Sequence, residues 1–289
     1  MPLRLMYLAL LAAACAPTPE SEPSDVDGDG LDAAFEGQVG TSDQQADSDG
    51  DGCSDALEVL GYFDPLDPTD RPYTGGYPRG PRAPASVFDA LAEAHGEAFE
   101  VGQLNPDWHL VDQHGELVQL RDFYGQVILV DLAAEWCVPC QQATPVLDSN
   151  YNELKEEGFV VLQLLLEGVR NNSEPQAERW AEGLGASFPV LADYSPGDYT
   201  LTEVAQYYLD VPGASYEIPN YSLIDREQVV RELYVYERSP SIEEVRPLLD
   251  TPAPELDVLL PDNAEELRAE LGLTPGSWVT PASLCEAGG

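Results

Sequence analysis

Apolar residues in the middle of this 289-residue chain fall into short runs that have the length of strands. Continuous apolar runs are typical of strands buried on both faces, and apolar positions at helical spacing indicate helices packed on a sheet. The pattern predicts strands at 127–133, 159–166, 221–224 and 229–236. It predicts helices at 141–157, interrupted by Pro145, and at 175–184, 200–209, 241–249 and 264–271. The alternation predicts an α/β domain, and the final pair of consecutive strands predicts a mixed sheet.

Two cysteines separated by two residues, Cys137 and Cys140, follow the first buried strand at the point where a helix is predicted to begin. The free N–H groups and positive dipole end of that helix would favour the Cys137 thiolate, which is the form that attacks disulfides. Cys140, one turn later, would attack the resulting mixed disulfide. Zinc would need a second close pair of ligands, which the other cysteines and the three histidines do not form. The pair predicts thiol–disulfide chemistry without a cofactor.

An acidic residue, Asp131, lies inside the first apolar run, six residues before Cys137. Burial in such a strand raises the pKa of a carboxyl group, and a raised pKa suits a proton acceptor near neutral pH. The alternative is that this end of the strand is solvated and Asp131 is an ordinary surface acid. We expect a catalytic role for Asp131.

The segment 130–140 resembles the active-site segment of thioredoxins. Four further stretches are similar, in order and spacing, to the redoxin branch of that family, the TlpA/ResA-type proteins: 101–115, 120–125, 188–193 and 218–225. The resemblance covers roughly residues 99–250. It implies a thioredoxin-like mixed β-sheet flanked by helices and the activity of a thiol–disulfide oxidoreductase on protein dithiols and disulfides.

The same resemblance assigns roles to individual residues. Pro219 is implied to be the cis-proline opposite the active site, which helps to hold an extended substrate strand. Trp136 is implied to flank the redox pair. Asp131 falls where thioredoxins carry a buried carboxylate that moves the proton of the second cysteine.

Acidic residues between positions 25 and 70 form two repeats offset by 22 residues. Each has carboxylates at positions 1, 3 and 5, glycine at 6 and glutamate at 12, the pattern of a calcium-binding loop. The predicted ligands are Asp25, Asp27, Asp29 and Glu36 in the first repeat, and Asp47, Asp49, Asp51, Asp55 and Glu58 in the second. Asp55 occupies position 9, where the first repeat has Ala33, so we expect the first site to be weaker. The repeats resemble thrombospondin type-3 repeats; a disordered acidic tether is the alternative.

The first residues resemble an export signal, with a short basic start and an apolar stretch that ends in small residues. Residues 11–15 resemble a bacterial lipobox, in which Cys15 would be diacylated and become the mature N-terminus. Cleavage of an ordinary secreted protein is the alternative. We therefore expect a lipid-anchored protein of the bacterial cell envelope that faces the periplasm or the exterior.

The formal net charge of −40, with Lys155 as the single lysine, argues against nucleic-acid binding and leaves a lipid anchor as the expected membrane contact.

Composition divides the chain into a signal peptide at 1–14, a tether at 15–24, calcium repeats at 25–70, a linker at 71–84, the redox domain at 85–250 and an acidic C-terminal tail at 251–289. Unpaired thiols are uncommon in oxidising compartments, so the two remaining cysteines, Cys53 and Cys285, are predicted to form a structural disulfide.

We expect an extracytoplasmic thiol–disulfide oxidoreductase that acts as a reductant, because the Val138–Pro139 dipeptide lacks the histidine of strongly oxidising relatives. Such a reductant would need a membrane redox partner as electron donor. Two alternatives stay open. A peroxiredoxin-like peroxidase shares the fold but would need a threonine shortly before its cysteine, where this chain has Ala134–Glu135–Trp136. A surface calcium-binding interaction protein with a vestigial redox domain is the other.

Overall fold

The computed structural model describes residues 24–169, 174–193, 204, 218–235, 238–256, 258–273, 280 and 282–287. The predicted signal segment with Cys15, and the predicted helix at 200–209 apart from residue 204, lie outside these ranges. Among the described residues, none of the helices combines the length and apolar character needed to cross a bilayer.

Within the described residues, seven strands form one mixed sheet. They are β1 (His109–Asp112), β2 (Leu117–Gln119), β3 (Val127–Ala133), β4 (Phe159–Leu165), β5 (Val190–Ala192), β6 (Asn220–Ile224) and β7 (Val230–Val235). Their order across the sheet is β2-β1-β5-β4-β3-β6-β7. β3, β4 and β5 run parallel, whereas the pairs at both ends of the sheet are antiparallel. The predicted mixed sheet is confirmed, and β3 has the predicted bounds.

The described helices are α1 (Ala33–Val39), α2 (Asp55–Gly61), α3 (Ala85–His95), α4 (Val138–Leu154), α5 (Ala177–Leu184), α6 (Ile242–Leu249) and α7 (Ala264–Glu270). Short 3-10 turns lie at Leu120–Phe123, Lys155–Glu157 and Ala282–Ala287. α4 continues through Pro145, where an interruption was predicted. α5 connects the parallel strands β4 and β5, as such a connection requires.

The main core surrounds β3 and β4, in which every residue is buried. Helix α4 packs on β4, and α6 packs on β3. Full burial of one valine, leucine or isoleucine side chain contributes about 1.5–3 kcal/mol relative to exposure. The apolar runs that predict these strands therefore also stabilise the centre of the sheet, and the end of β3 is held in a fixed position.

A second, smaller core joins the acidic repeats to the C-terminal tail. Its members from the repeats are Leu31, Phe35, Ala56, Leu57, Val59 and Leu60, and those from the tail are Leu267 and Leu273. Arg268 Nη2 donates to the Leu60 carbonyl oxygen at 2.6 Å, and a disulfide joins Cys53 to Cys285. The two ends of the chain thus form one compact unit, which we call the repeat module. The sequence connects the tail to the repeats through the predicted Cys53–Cys285 disulfide. The apolar contacts of Leu267 and Leu273 and the Arg268 hydrogen bond join residues too distant in sequence for a local pattern to reveal.

The predicted linker at 71–84 is packed against the redox domain. Tyr73 Oη donates to Asp122, and Tyr77 Oη donates to Asp112 at 3.1 Å. Buried Arg79 contacts Asp70 at 2.6 Å and Asp122 at 3.4 Å. Two tyrosines and a buried arginine thus make this stretch a structural connection between the repeat module and the redox domain.

Candidate active site and candidate metal sites

Cys137 and Cys140 lie at the end of β3, where α4 begins. Cys137 is the N-cap of α4, and its Sγ accepts a hydrogen bond from the Cys140 backbone N–H at 3.2 Å. The two sulfurs are joined as a disulfide. Cys137 is 3% exposed and Cys140 is fully buried, so both sulfurs are largely shielded from solvent in the disulfide form. The helix N-terminus is aimed at the sulfur that the sequence predicts to attack.

A cis peptide bond between Ile218 and Pro219 lies beside the cysteine pair, at the start of β6. The Ile218 carbonyl oxygen is 3.8 Å from Cys137 Sγ. The geometry therefore places Pro219 next to the redox pair, where the resemblance implied it.

Trp136 precedes the redox pair and is 38% exposed. Its indole Nε1 donates to Glu167 Oε2 at 2.6 Å, which fixes the ring although much of it faces solvent. Val138, the residue after Cys137, is also exposed and extends this apolar surface beside the cysteines. Glu135, which directly precedes Trp136, is buried and accepts hydrogen bonds from Arg179 and the Gln176 N–H. Hence the acid adjacent to the site is paired, and the exposed surface is apolar.

Asp131 is fully buried in β3. Its Oδ2 accepts a hydrogen bond from Gln163 Nε2 at 2.7 Å, and its Oδ1 has no hydrogen-bond partner among the described residues. Burial raises the pKa of Asp131 to about 7, and the Gln163 hydrogen bond opposes that rise. Such a carboxyl can take up or release a proton near neutral pH. The sequence analysis missed Gln163, although its signal was available: it is the one polar residue within the apolar run of β4.

The two acidic loops share one local geometry. The first aspartate of each loop accepts two backbone N–H groups: Asp25 from Gly28 and Gly30, and Asp47 from Gly50 and Gly52. In each loop the three alternating aspartates place carboxylate oxygens within 4.8 Å of one another: Asp25, Asp27 and Asp29, and Asp47, Asp49 and Asp51. The structure therefore gathers the aspartates that the repeats predict as ligands.

The closing glutamates of both loops are buried, and most of their carboxylate oxygens lack a donor; Glu36 Oε1 accepts a hydrogen bond from Thr41 Oγ1 at 3.4 Å. Glu36 is 1% exposed, and Glu58 is fully buried. Glu36 Oε2 and both carboxylate oxygens of Glu58 have no hydrogen-bond partner in the described part of the chain. Burial, followed by the nearby aspartates, raises the pKa of Glu36 to about 7 and that of Glu58 to about 9. Because a buried and unpaired charge is costly, carboxyl groups of this kind hold their protons near neutral pH unless a positive charge lies beside them.

The remaining predicted ligands differ in their surroundings. Both carboxylate oxygens of Asp55 accept hydrogen bonds from Ser48, through its N–H and its hydroxyl group. Asp29 links the two loops, because its Oδ2 accepts the Ala56 N–H at 3.0 Å. Sequence reasoning missed Asp43, which accepts the Val26 N–H and adds to the charge that raises the pKa of Glu36. Asp43 lies outside the repeat pattern, so the spacing of the repeats carries no signal for it.

A dithiol at a helix N-terminus, a cis-proline and a buried acid on the central strands of a mixed sheet together define a thioredoxin-like redox site. Comparisons with known proteins agree with this class. Residues 101–233 match the AhpC/TSA family. The thioredoxin-like protein YneN of Bacillus subtilis is 31% identical over 127 residues, which are 42% of this chain and 71% of YneN. The thiol-disulfide oxidoreductase ResA of Bacillus thuringiensis is 24% identical over 149 residues, covering 51% of this chain and 78% of ResA.

Two solved structures are similar to about half of this chain. A secreted thiol-disulfide isomerase from Corynebacterium glutamicum has a TM-score of 0.42 and 22% identity, with 52% of this chain and 86% of that chain covered. The thioredoxin domain of a thiol-disulfide oxidoreductase from Bacteroides vulgatus has a TM-score of 0.40 and 21% identity, with coverages of 52% and 96%.

The chain belongs to the thioredoxin-like family, in its TlpA/ResA-type redoxin branch. It is a thiol–disulfide oxidoreductase, as the sequence predicts. The predicted fold class, a thioredoxin-like mixed β-sheet flanked by helices, is confirmed as well.

Proposed function

We propose that this protein reduces disulfides in client proteins outside the bacterial cytoplasm through Cys137 and Cys140. The observation that carries the proposal is the position of Cys137 Sγ at the N-terminus of a 17-residue helix, beside the Ile218 carbonyl and the cis-proline. The helix end stabilises the attacking thiolate. The neighbouring backbone can hold an extended client segment so that its disulfide meets that thiolate.

The reaction proceeds in two displacements. The Cys137 thiolate attacks one sulfur of the client disulfide; a Cys137–client disulfide forms, and the other client sulfur leaves as a thiolate. Cys140 then gives its proton to Asp131, and its thiolate attacks Cys137 Sγ. The second client sulfur leaves, and the Cys137–Cys140 disulfide forms. The client gains the two electrons that the dithiol loses, so an external dithiol, supplied by a membrane redox partner, must reduce the pair again.

Trp136 and Pro219 shape the client groove in this scheme. Trp136 and Val138, on either side of Cys137 in the sequence, supply an exposed apolar surface beside the sulfurs. An apolar surface on a chain with a net charge of −40 favours contact with unfolded client segments, which expose apolar side chains and backbone groups.

An insulin-reduction assay with dithiothreitol tests the activity, and the reduction potential of the cysteine pair tests its direction. A potential near that of thioredoxin, about −270 mV, supports the reductant. One near that of strong oxidants, about −120 mV, assigns the opposite direction. Consumption of peroxide without insulin reduction would favour the peroxiredoxin-like alternative. Absence of both activities would leave the calcium-binding interaction protein as the better description.

We also propose that the repeat module binds structural calcium through the two acidic loops. The buried and unpartnered oxygens support this, because Asp27 Oδ2, Glu36 Oε2, Asp49 Oδ2, Asp51 Oδ2 and both Glu58 oxygens have no donor among the described residues. Calcium prefers such oxygen ligands, and it would neutralise the clustered charges and stabilise the module. The residues that would hold it are Asp25, Asp27, Asp29 and Glu36 in one loop and Asp47, Asp49, Asp51 and Glu58 in the other. Titration calorimetry with calcium chloride tests the proposal, and no heat of binding would refute it.

The lipid anchor at Cys15 is a further proposal, supported by the lipobox-like residues 11–15. It would place the enzyme at the membrane surface, facing the periplasm or the exterior. Fractionation of a Cys15→Ser variant tests it, because an unchanged membrane fraction would exclude acylation at this residue.

A further inference from the structure

We propose that Gln163 is a positioning residue for the second displacement: its side-chain amide holds the Asp131 carboxylate in the orientation that receives the Cys140 proton. The inference rests on the proposed role of Asp131. It concerns a residue that does not touch the reacting sulfurs and acts only through the acid.

The pairing of the strands places the two side chains together. Asp131 in β3 and Gln163 in β4 are register partners in parallel strands, and both are fully buried. An amide inside an apolar strand costs free energy unless its donors and acceptor are bonded. Gln163 meets that requirement with bonds to three side chains, those of Asp131, Thr144 and Trp180.

Trp180 fixes which end of the amide faces the acid. Its indole Nε1 lies 2.6 Å from Gln163 Oε1, and an indole nitrogen can only donate. The oxygen of the amide must therefore face Trp180, and its nitrogen must face Asp131. This settles the choice between the two orientations of the amide, which is otherwise assigned from the hydrogen-bond network. Asp131 thus receives a donor, which favours its charged form.

The same network reaches the second cysteine. Gln163 Nε2 also donates to Thr144 Oγ1 at 3.0 Å, and Thr144 Oγ1 donates to the Cys140 carbonyl oxygen at 3.0 Å. Thr144 is fully buried in α4, one turn after Cys140. A chain of three hydrogen bonds therefore connects the proton acceptor with the backbone of the residue that gives up the proton.

Among the polar groups around Asp131, Gln163 has the largest effect on its pKa. Tyr221 is its register partner in β6, and burial raises the pKa of that tyrosine, so it stays neutral. On α6, which packs on β3, Glu243 is exposed, Glu244 pairs with Arg238, and Arg246 pairs with Glu157. On α4, Thr144 joins the same network through Gln163, and Cys140 lies one turn before Thr144. Since a hydrogen bond to a carboxylate lowers its pKa, loss of the Gln163 donor should raise the pKa of Asp131 further.

The test is the pH dependence of the second displacement, measured by stopped flow. Reduced protein is mixed with Ellman's reagent: the first thionitrobenzoate released reports attack by Cys137, and the second reports attack by Cys140. Gln163→Leu should move the midpoint of the second phase to higher pH by about one unit, which is about a tenfold loss of rate below the midpoint. The first phase and the alkaline limit of the second should not change.

Two variants separate this effect from a loss of structure. Trp180→Phe keeps the aromatic packing but removes the N–H, so it should move the midpoint in the same direction by less. Gln126→Leu is the matched control, because Gln126 is equally buried and its amide atoms make no hydrogen bond within the described residues. It should leave the midpoint unchanged. Wild-type midpoints in folded Gln163→Leu and Trp180→Phe proteins would overturn the proposal.

Asp131→Asn distinguishes this inference from the proposed function on which it rests. If Asp131→Asn removes the titration and the Gln163 variants keep the wild-type midpoint, Asp131 moves the proton and the role of Gln163 is wrong. If Asp131→Asn keeps the wild-type profile, the role of Asp131 itself is wrong.

Discussion

The redox domain and the repeat module both bury carboxylates, but they treat them differently. In the redox domain each buried aspartate near the core has protein donors: Asp131 has Gln163, Asp122 has Tyr73, and Asp112 has Tyr77. In the repeat module Glu58 is just as buried, yet neither of its oxygens has a donor among the described residues. These three aspartates therefore each have a donor from the protein itself, whereas Glu58 has none among the described residues.

That difference has a functional meaning. A single acid with a single donor can exchange one proton, which is what the second displacement requires. A cluster of acids without donors is suited to bind a divalent cation and contributes nothing to electron transfer. Stability of the module should therefore depend on calcium, and activity of the redox site should not.

The largest effect is expected when the two redox cysteines are replaced by serine, one at a time. Cys137→Ser should abolish insulin reduction, because no thiolate remains at the helix N-terminus. Cys140→Ser should accumulate mixed disulfides with client proteins, since nothing displaces the client from Cys137. Non-reducing electrophoresis and mass spectrometry measure both outcomes.

The control for the trapping experiment is Cys53→Ser/Cys285→Ser, which should trap clients no more than the wild type does. If Cys137→Ser traps clients and Cys140→Ser does not, the two cysteines have the opposite roles. If neither variant traps, disulfide exchange with proteins is not the activity.

The second expectation concerns calcium. Chelation should expose residues 24–70 to proteases and leave the redox domain intact, because Glu58 in the module is buried with no donor on either oxygen among the described residues. A site whose ligand is present at a hundred times its dissociation constant gains about 2.7 kcal/mol, so calcium should raise the unfolding temperature of the module alone. Limited proteolysis with mass spectrometry measures the first effect, and calorimetry the second.

Glu58→Gln sharpens this test, because it removes a charged ligand and keeps the size of the side chain. It should weaken calcium binding at least about tenfold, which corresponds to about 1.4 kcal/mol. Glu243→Gln, on the exposed surface of α6, is the matched control and should bind calcium as the wild type does. Equal affinities for both variants would exclude Glu58 as a ligand.

The disulfide of the module gives the third expectation. Cys53 and Cys285 are both buried and are separated by 232 residues. Removal of a native disulfide typically costs about 2–5 kcal/mol, so Cys285→Ser should lower the unfolding temperature of the module. Insulin reduction should be unchanged. Cys53→Ser should have the same effect, and the double variant should be no worse than either single one.

The regions also differ in how far their structure could be predicted from sequence. Strand β3 was predicted with its observed bounds, because a continuous apolar run followed by a helix start is a local signal. The repeat spacing likewise predicted which aspartates gather in each loop. These features depend on neighbours along the chain.

Other features depend on contacts that no local pattern specifies. Tyr73 and Tyr77 hold the predicted linker against the redox domain through acids more than thirty residues away. Leu267 packs under the first acidic loop, where a side chain at Gly30 would collide with it. Gln163 stands out in the sequence as a polar residue in an apolar strand. Its three hydrogen-bond partners come from β3, α4 and α5, so they can be identified only in the folded protein.

The last expectation is that Asp131 affects both the stability of the folded protein and the rate of the second displacement. Burial raises the pKa of this acid to about 7, well above its ordinary value. The folded state therefore binds the proton more tightly than the unfolded state, and stability falls as pH rises from about 4 to about 7. Asp131→Asn removes this penalty, so the variant should be more stable than the wild type at pH 8, with little difference below pH 4. A difference of one unit in pKa corresponds to about 1.4 kcal/mol, so the gain should be a few kcal/mol.

The same substitution should slow the enzyme. Without an acceptor for the Cys140 proton, resolution of the mixed disulfide should be about 10–100-fold slower near neutral pH, and the difference should shrink at alkaline pH, where Cys140 ionises unaided. Denaturant unfolding at several pH values and single-turnover kinetics measure the two effects on one preparation. A variant that is both more stable and slower would show that the buried charge is kept for the reaction. A variant with higher stability and an unchanged rate would show that Asp131 is buried in the core without moving the proton.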